Sequence, residues 1–420
     1  MEHFYLCIDQ KSFYSSVECH ERGLDAMTTD LVVADPARGK GTICLAVSPS
    51  LKKKGVRNRC RVYEIPGQLE YIMAPPRMQL YIDYAARIYG IFLRYLSKDD
   101  IHVYSIDEAF LDVTPYLALY RTDARTLGLR IMGDLLNELG LPSSCGIGTN
   151  LYLTKIALDI TAKRTRDRVG FLDEALYRES LWDHRPLTDF WQIGHGIERR
   201  LHSMGIYTMR DITIADPVYL RKVFGVDSEI LIDHAWGRES VTMQEIKAYT
   251  VNRHSLSSGQ VLLRDYAYAE ALLIVKEMAE LSCLDLVDRH LVTNSLSLYV
   301  GYTKDTLPPS RGTITMTVTT SSSRIIASYF VKLYERITDR IIPIRRIILN
   351  FNDVIPEELE QFDLFTDPDS IIRDRAMKRA ILELQEKYGK GVVLKGMNLL
   401  PEGTTRERVH QIGGHKNGLA

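Results

Sequence analysis

The chain has 420 residues, 45% of them hydrophobic and 25% charged, with a formal net charge of −1, so it reads as ordinary globular protein with room for several domains and no bulk basic excess. That charge does not exclude a nucleic-acid partner, which needs only local positive patches. Six cysteines without a CxxC pair, no secretory leader and no apolar run near the roughly 18 residues of a membrane span point away from zinc, disulfides and membranes, toward a reduced cytoplasmic protein.

In chain order, "HFYLCID" is a strand candidate ending at Asp9, and "KSFYSSVECHER" has helical periodicity. "DLVVAD" and "GTICLAVS" read as strands, followed at 52–61 by "KKKGVRNRCR", with six basic residues and no acid. The stretch 76–97 is a helix with a proline placed to start it. "IHVYSI" and "AFLDV" are strands flanking Asp107 and Glu108. "LALYRTDARTLGLRIMGDLLNELG" reads as one long helix, "SSCGIGTN" as a strand, and "LYLTKIALDITAK" as a helix. This order fits a ferredoxin-like α+β sheet with a mostly basic insertion, its helices on one face and the other face open.

From about 168 to 237 short helices dominate, and "IGHGIERRLHSMGIYTMRDI" has the pattern of a helix-hairpin-helix. Amides at its Gly194–Gly196 turn suit a backbone phosphate. From 246 to Phe351 the pattern is β-α-β-β-α-β, a second ferredoxin-like unit of the same topology. A polar tail follows, with an amphipathic helix near 370–388.

The chemistry lies in "VYSIDEAFLDVT", where an apolar run carries Asp107 and Glu108. Neighbouring strands are about 4.8 Å apart, so Asp9, Asp107 and Glu108 can converge at one sheet surface. Such acids repel unless a cation offsets them, and an all-oxygen set suits Mg²⁺ or Mn²⁺. The competing readings are exposed turn acids for the pair and a helix N-cap for Asp9.

"CIDQKSFYSSVE", "VYSIDEAFLDVT" and "CGIGTNLYLTKIALDITAK", in that order, resemble the signature blocks of the Y-family DNA polymerases, the translesion enzymes, and "DQKSFY" with the ending "HQIGGHKNG" resembles their UmuC-like Gram-positive branch. The resemblance implies an α+β multidomain chain: palm at 1–10 and 76–167, fingers at 11–75, a helical helix-hairpin-helix thumb at 168–240, little finger at 246–352 and a tail at 353–420. It implies two Mg²⁺ ions (Mn²⁺ as substitute) on Asp9, Asp107 and Glu108, with Asp112 structural. Tyr14 falls at the steric gate against a ribose 2′-OH, and Ser12 and Phe13 in the triphosphate cradle. Lys52 and Lys163 match the phosphate-contacting positions. Two departures stand out: Pro49 replaces a usual Tyr, and "DITAK" has one residue more than the usual "DMAK", which could displace Lys163 and leaves Lys155 as an alternative.

Candidate DNA contacts are Gly194, Gly196, Arg199 and Arg200, then Arg253, Ser255, Ser257, Ser258, Ser321, Ser322, Ser323 and Arg324. In the tail, Gln361, Asp363, Leu364 and Phe365 resemble the QxDLF peptide that bacterial polymerases insert into the sliding clamp. The implied substrates are primer-template DNA and dNTPs, with accessory SOS proteins as further partners. A non-catalytic DNA-bound scaffold and a palm-fold nucleotide cyclase are the alternatives.

Overall fold

The computed structural model describes residues 3–250, 255–303, 306–359 and 367–418. Contacts divide it into two compact units, Met1–Thr250 and Val251–Ala420.

The first unit begins with β1 (Tyr5–Gln10) and α1 (Phe13–His20). An insertion follows with β2 (Leu31–Val33), β3 (Ala46–Val47), α2 (Pro49–Lys53) and β4 (Ile72–Ala74), its strands in the order β3-β2-β4. Val32, Val47, Leu51, Val56, Cys60 and Ile65 give this insertion its own small core. Val56 and Cys60 thereby anchor the basic stretch, which is not a freely solvated run.

Next come α3 (Met78–Phe92), β5 (Ile101–Val103), β6 (Glu108–Asp112), α4 (Thr114–Tyr120), α5 (Ala124–Leu139), β7 (Ser143–Gly148), α6 (Leu151–Ile156) and β8 (Val169–Leu172). The main sheet has the order β5-β6-β1-β7-β8. Three features differ from the sequence reading. The expected long helix breaks at Arg121, which adopts φ 51°, and restarts where the Asp123 carboxylate accepts from the Thr126 N–H. The region expected to open the thumb at 168 first supplies the fifth strand, β8, parallel to β7. Finally, both sheet faces carry helices: α5 meets Leu6 through Gly128, whereas Leu151 and Leu158 pack with Tyr5, Cys7 and Phe110 on the opposite face.

The helical region comprises α7 (Glu174–Leu181), α8 (His195–Ser203), α9 (Met209–Ile214), α10 (Pro217–Phe224), α11 (Asp227–Trp236) and α12 (Met243–Ala248). The turn between α8 and α9 contains Gly205 at φ 78°, a left-handed conformation that favours glycine.

The second unit contains β9 (Ser255–Tyr266), α13 (Tyr268–Asp288), β10 (Leu291–Tyr302), β11 (Ser310–Thr320), α14 (Ser323–Ile337) and β12 (Ile344–Asn352), with sheet order β11-β10-β12-β9. The expected element succession is present, but the strand order is not that of the first sheet. There the opening strand β1 lies inside; here the opening strand β9 is an edge. The shared topology therefore holds for the order of elements and not for their pairing.

Beyond β13 (Ile355–Pro356) lies α15 (Pro368–Tyr388), packed on α13. The chain then returns to this unit through α16 (Thr405–Arg408) and the hairpin β14 (Gln411–Ile412) and β15 (His415–Lys416). Buried Glu277 accepts from Asn398 Nδ2 and the Thr404 N–H, each at 2.8 Å. The polar composition of the tail had concealed this docking. No helix among the described residues is long and apolar enough to cross a membrane.

Candidate active site

Strands β1 and β6 pair antiparallel with Asp9 opposite Glu108, so both carboxylates leave the same face. Asp107 lies at the turn entering β6; its carbonyl accepts from the Gln10 N–H at 2.9 Å, and its Oδ1 accepts from Ser105 Oγ at 2.6 Å. Burial, reinforced by the charges of Asp107 and Glu108, pushes the Asp9 carboxyl from 3.8 up to about 7.

One cation already stands among these acids. Lys155 Nζ lies 2.6 Å from Glu108 Oε1 and 3.2 Å from Asp159 Oδ2. Burial opposes its charge, but Asp159 and Glu108 outweigh burial and hold the ammonium above its ordinary range. The same Glu108 oxygen accepts from Cys7 Sγ at 3.1 Å. Lys155, the alternative phosphate contact offered from sequence, is thus paired with carboxylates in this structure. Among the described residues, no three carboxylate, imidazole or thiol groups are already gathered to hold one ion. The donors are nonetheless all oxygen, crowded and short of positive charge, which fits hard divalent cations.

The residues expected from sequence to contact the nucleotide adjoin this face. Ser12 adopts φ 49°, a strained left-handed turn for a non-glycine residue, and its side chain caps no amide of α1. Lys52 Nζ donates instead to Ser12 Oγ at 2.8 Å. Burial lowers the Lys52 ammonium, with Asp9 opposing and Lys163 reinforcing the shift, so the three share one electrostatic neighbourhood. Lys11 also belongs here: burial lowers it, aided by Arg168, Lys52 and Lys53. Its only sequence signal was its place in "DQKSFY".

The stretch "DITAK", expected to carry one residue more than its relatives, runs through a π-helical turn, Ala157–Thr161, and a 3₁₀ turn, Ala162–Arg164. Such a widened turn takes up one inserted residue without ending the helix. Gly170 provides the space: a Cβ there would lie 2.5 Å from the Ala157 carbonyl oxygen and 2.6 Å from the Ala162 nitrogen.

Phe13 is buried, while Tyr14 stacks on Tyr81 with ring centroids 4.5 Å apart. Tyr81 is fully buried and donates from its hydroxyl to Glu18 Oε1 at 2.8 Å. Buried Glu18 also pairs with Arg77 and Arg22. This backing for Tyr14 went unread because its partners are some 60 residues away.

Gly194 caps α8 and Gly196 lies in its first turn; a Cβ at either would meet nothing within 4 Å, so this surface is open. Arg199 is exposed, whereas the Arg200 guanidinium lies over the Phe224 ring. Trp191 Nε1, just before the hairpin turn, donates at 3.0 Å to the Tyr104 hydroxyl in the loop leading to Asp107. In the second unit, Ser255, Ser257 and Arg324 are exposed and Ser258 is half-buried. Ser321, Ser322 and Ser323 are buried, which removes them as surface phosphate contacts; the Ser323 N–H instead donates to Asp374 Oδ2 at 3.1 Å. Arg253, Gln361, Asp363, Leu364 and Phe365 lie outside the described residues.

A mixed sheet with paired strand acids, facing a turn flanked by lysines, defines a palm-type, nucleotide-handling class of protein. The impB/mucB/samB family matches residues 8–159, and that family's C-terminal domain matches 253–364. The UV-damage repair protein UvrX of Bacillus subtilis (strain 168) is 31% identical over 98% of this chain and 97% of its own length. DNA polymerase IV 2 of the same organism is 26% identical, covering 97% of each chain. A solved Y-family DNA polymerase chimera, Dbh-Dpo4(243-245)-Dbh, shares the fold at a TM-score of 0.65 and 18% identity, over 84% of this chain and 99% of that one. The chain belongs to the impB/mucB/samB family, the UmuC-like branch of the Y-family DNA polymerases.

Proposed function

We propose that this DNA-directed DNA polymerase performs translesion synthesis, adding dNTPs with low stringency to a primer 3′-OH opposite damaged template. We assign palm to 1–10 and 76–167 together with β8, fingers to 11–75, thumb to the remainder of 168–240, little finger to 246–352 and tail to 353–420. The observation that carries the reading is the opposition of Asp9 and Glu108 beside Asp107, with the Asp9 carboxyl pushed up to about 7.

Asp9, Asp107 and Glu108 would hold two Mg²⁺ ions, with Mn²⁺ as substitute. When bound, such ions supply charge stabilisation for the attacking and leaving oxygens of phosphoryl transfer. The chain's own residues prepare the substrate for it. Lys52 and Lys163 offset triphosphate charge, and the amides at Ser12 and Phe13 cradle it. Tyr14, held by Tyr81, excludes a ribose 2′-OH. The Gly194 and Gly196 amides and Arg199 grip backbone phosphate without reading sequence. Arg253 and Arg324 do so from the little finger. Gln361, Asp363, Leu364 and Phe365 recruit the sliding clamp, with the last two filling an apolar groove.

Primer extension by the purified protein beside an Asp107→Ala, Glu108→Ala double variant tests the core of this reading. Extension by the parent alone supports it. DNA binding without extension by either protein would favour the scaffold, and a cyclic product from a free nucleotide would favour the cyclase.

A further inference from the structure

Lys155 is unusual for a site that attracts cations. Its Nζ is 2.6 Å from Glu108 Oε1, its side chain is only 9% exposed, and Asp159 braces it on the other side. The helix that carries it lies directly on β7, where a Cβ at Gly146 would be 2.2 Å from the Thr154 carbonyl oxygen and one at Gly148 2.4 Å from the Thr154 nitrogen. Cys7 Sγ donates to Glu108 Oε1 and Lys155 Nζ forms an ion pair with the same oxygen, which fixes the carboxylate and leaves Oε2 for another ligand. A divalent ion held by Glu108 therefore stands close to a permanent positive charge, and the two repel.

We propose that Lys155 is a positioning residue and resident counter-charge: it holds Glu108 in place before metal arrives and suppresses the binding of bare divalent ions. The inference rests on Asp9, Asp107 and Glu108 being metal ligands. An ion accompanied by triphosphate brings compensating negative charge, so Lys155 opposes it far less. The site then fills with the nucleotide and stays largely empty without it. Occupancy follows substrate, although Glu108 is already held.

Binding of Mn²⁺ to the full-length protein, without DNA or nucleotide, is measured from the loss of the free-ion paramagnetic resonance signal. Lys155→Met and Lys155→Gln are expected to bind bare Mn²⁺ at least tenfold more tightly than the parent. Lys155→Arg, which retains the charge, should remain within about threefold, and Glu108→Gln should bind more weakly. With a dNTP present, the advantage of the Met and Gln variants should fall to threefold or less. The Gln variant retains a donor to Glu108, so it reports on charge even if the Met variant fails to fold. Parent binding without tightening in either neutral variant overturns the role of Lys155 while leaving the metal site standing. An absence of Mn²⁺ binding at millimolar concentration in the parent and all variants overturns the metal reading and this inference together.

Discussion

Asp9→Asn should stabilise the protein when metal is withheld, although it removes one of the proposed metal ligands. Folding raises the Asp9 carboxyl from 3.8 to about 7, through burial first and then the charges of Asp107 and Glu108. A carboxyl raised in this way is in its favourable state below the unfolded value. The associated stability is lost as pH rises from about 4 through about 7, because the unfolded chain releases the proton first. The full rise corresponds to about 4 kcal/mol, an upper bound that local relaxation and water reduce. Asparagine keeps the shape and never ionises. In EDTA at pH 8, urea unfolding of the first unit should therefore show the variant more stable by about 2–4 kcal/mol; at pH 5 the difference should fall below about 2 kcal/mol, and near pH 3 it should vanish. A variant equal to or less stable than the parent at pH 8, or a difference that does not change with pH, refutes the placement of Asp9 among uncompensated acids.

Other outcomes are open to measurement. Tyr14→Ala should raise ribonucleotide incorporation at least tenfold relative to dNTP, and Tyr81→Leu should raise it in part by removing the stacked support for Tyr14. Deleting Thr161 should convert the π turn to a regular one and leave KM for dNTP within about threefold, whereas Lys163→Ala should raise KM tenfold; Gly170→Ala, which drives a methyl into two backbone atoms, should cost about 2 kcal/mol or more in denaturant unfolding. Glu277→Ala leaves the buried Thr404 N–H without its acceptor and removes one of two acceptors of the Asn398 amide, Thr405 Oγ1 being the other, so it should cost about 2–3 kcal/mol in the second unit and speed proteolysis of the tail.

What could be read from the sequence was set by how locally each feature is encoded. β1 and β6 are apolar runs with acids at their ends, so Asp9, Asp107 and Glu108 announce themselves within a dozen residues each. The α13 and α14 helices and the long strands around them likewise carry clear periodicity. Four-residue β8, "VGFL", offers too little alternation to separate it from a loop after "RTRDR", and it exists because β7 offers a free edge. The break before α5 was legible in principle, since Asp123 followed by Thr126 is a cap signal inside an otherwise helical pattern. The tail's docking rests on Glu277, which looks from sequence like any solvent-facing helix acid; only a partner more than 100 residues away makes it buried.

The active site divides along the same line. Its acids were local, but their neutralisation was not. A cluster of carboxylates in an apolar strand calls for a positive partner, and sequence alone offered metal as the answer. The fold supplies Lys155 first, from a helix whose approach depends on the absence of side chains at Gly146 and Gly148. That order of events has a physical consequence. A site partly neutralised by its own lysine can fold and persist without metal, so the placement of Glu108 need not depend on the ions proposed to bind there. The stretch "DITAK" follows the same logic, since its π turn lies beyond Lys155 and leaves that lysine facing Glu108. The expected spacing anomaly therefore bears on the proposed reach of Lys163 toward the phosphates, while the carboxylate end of the site is fixed upstream of it.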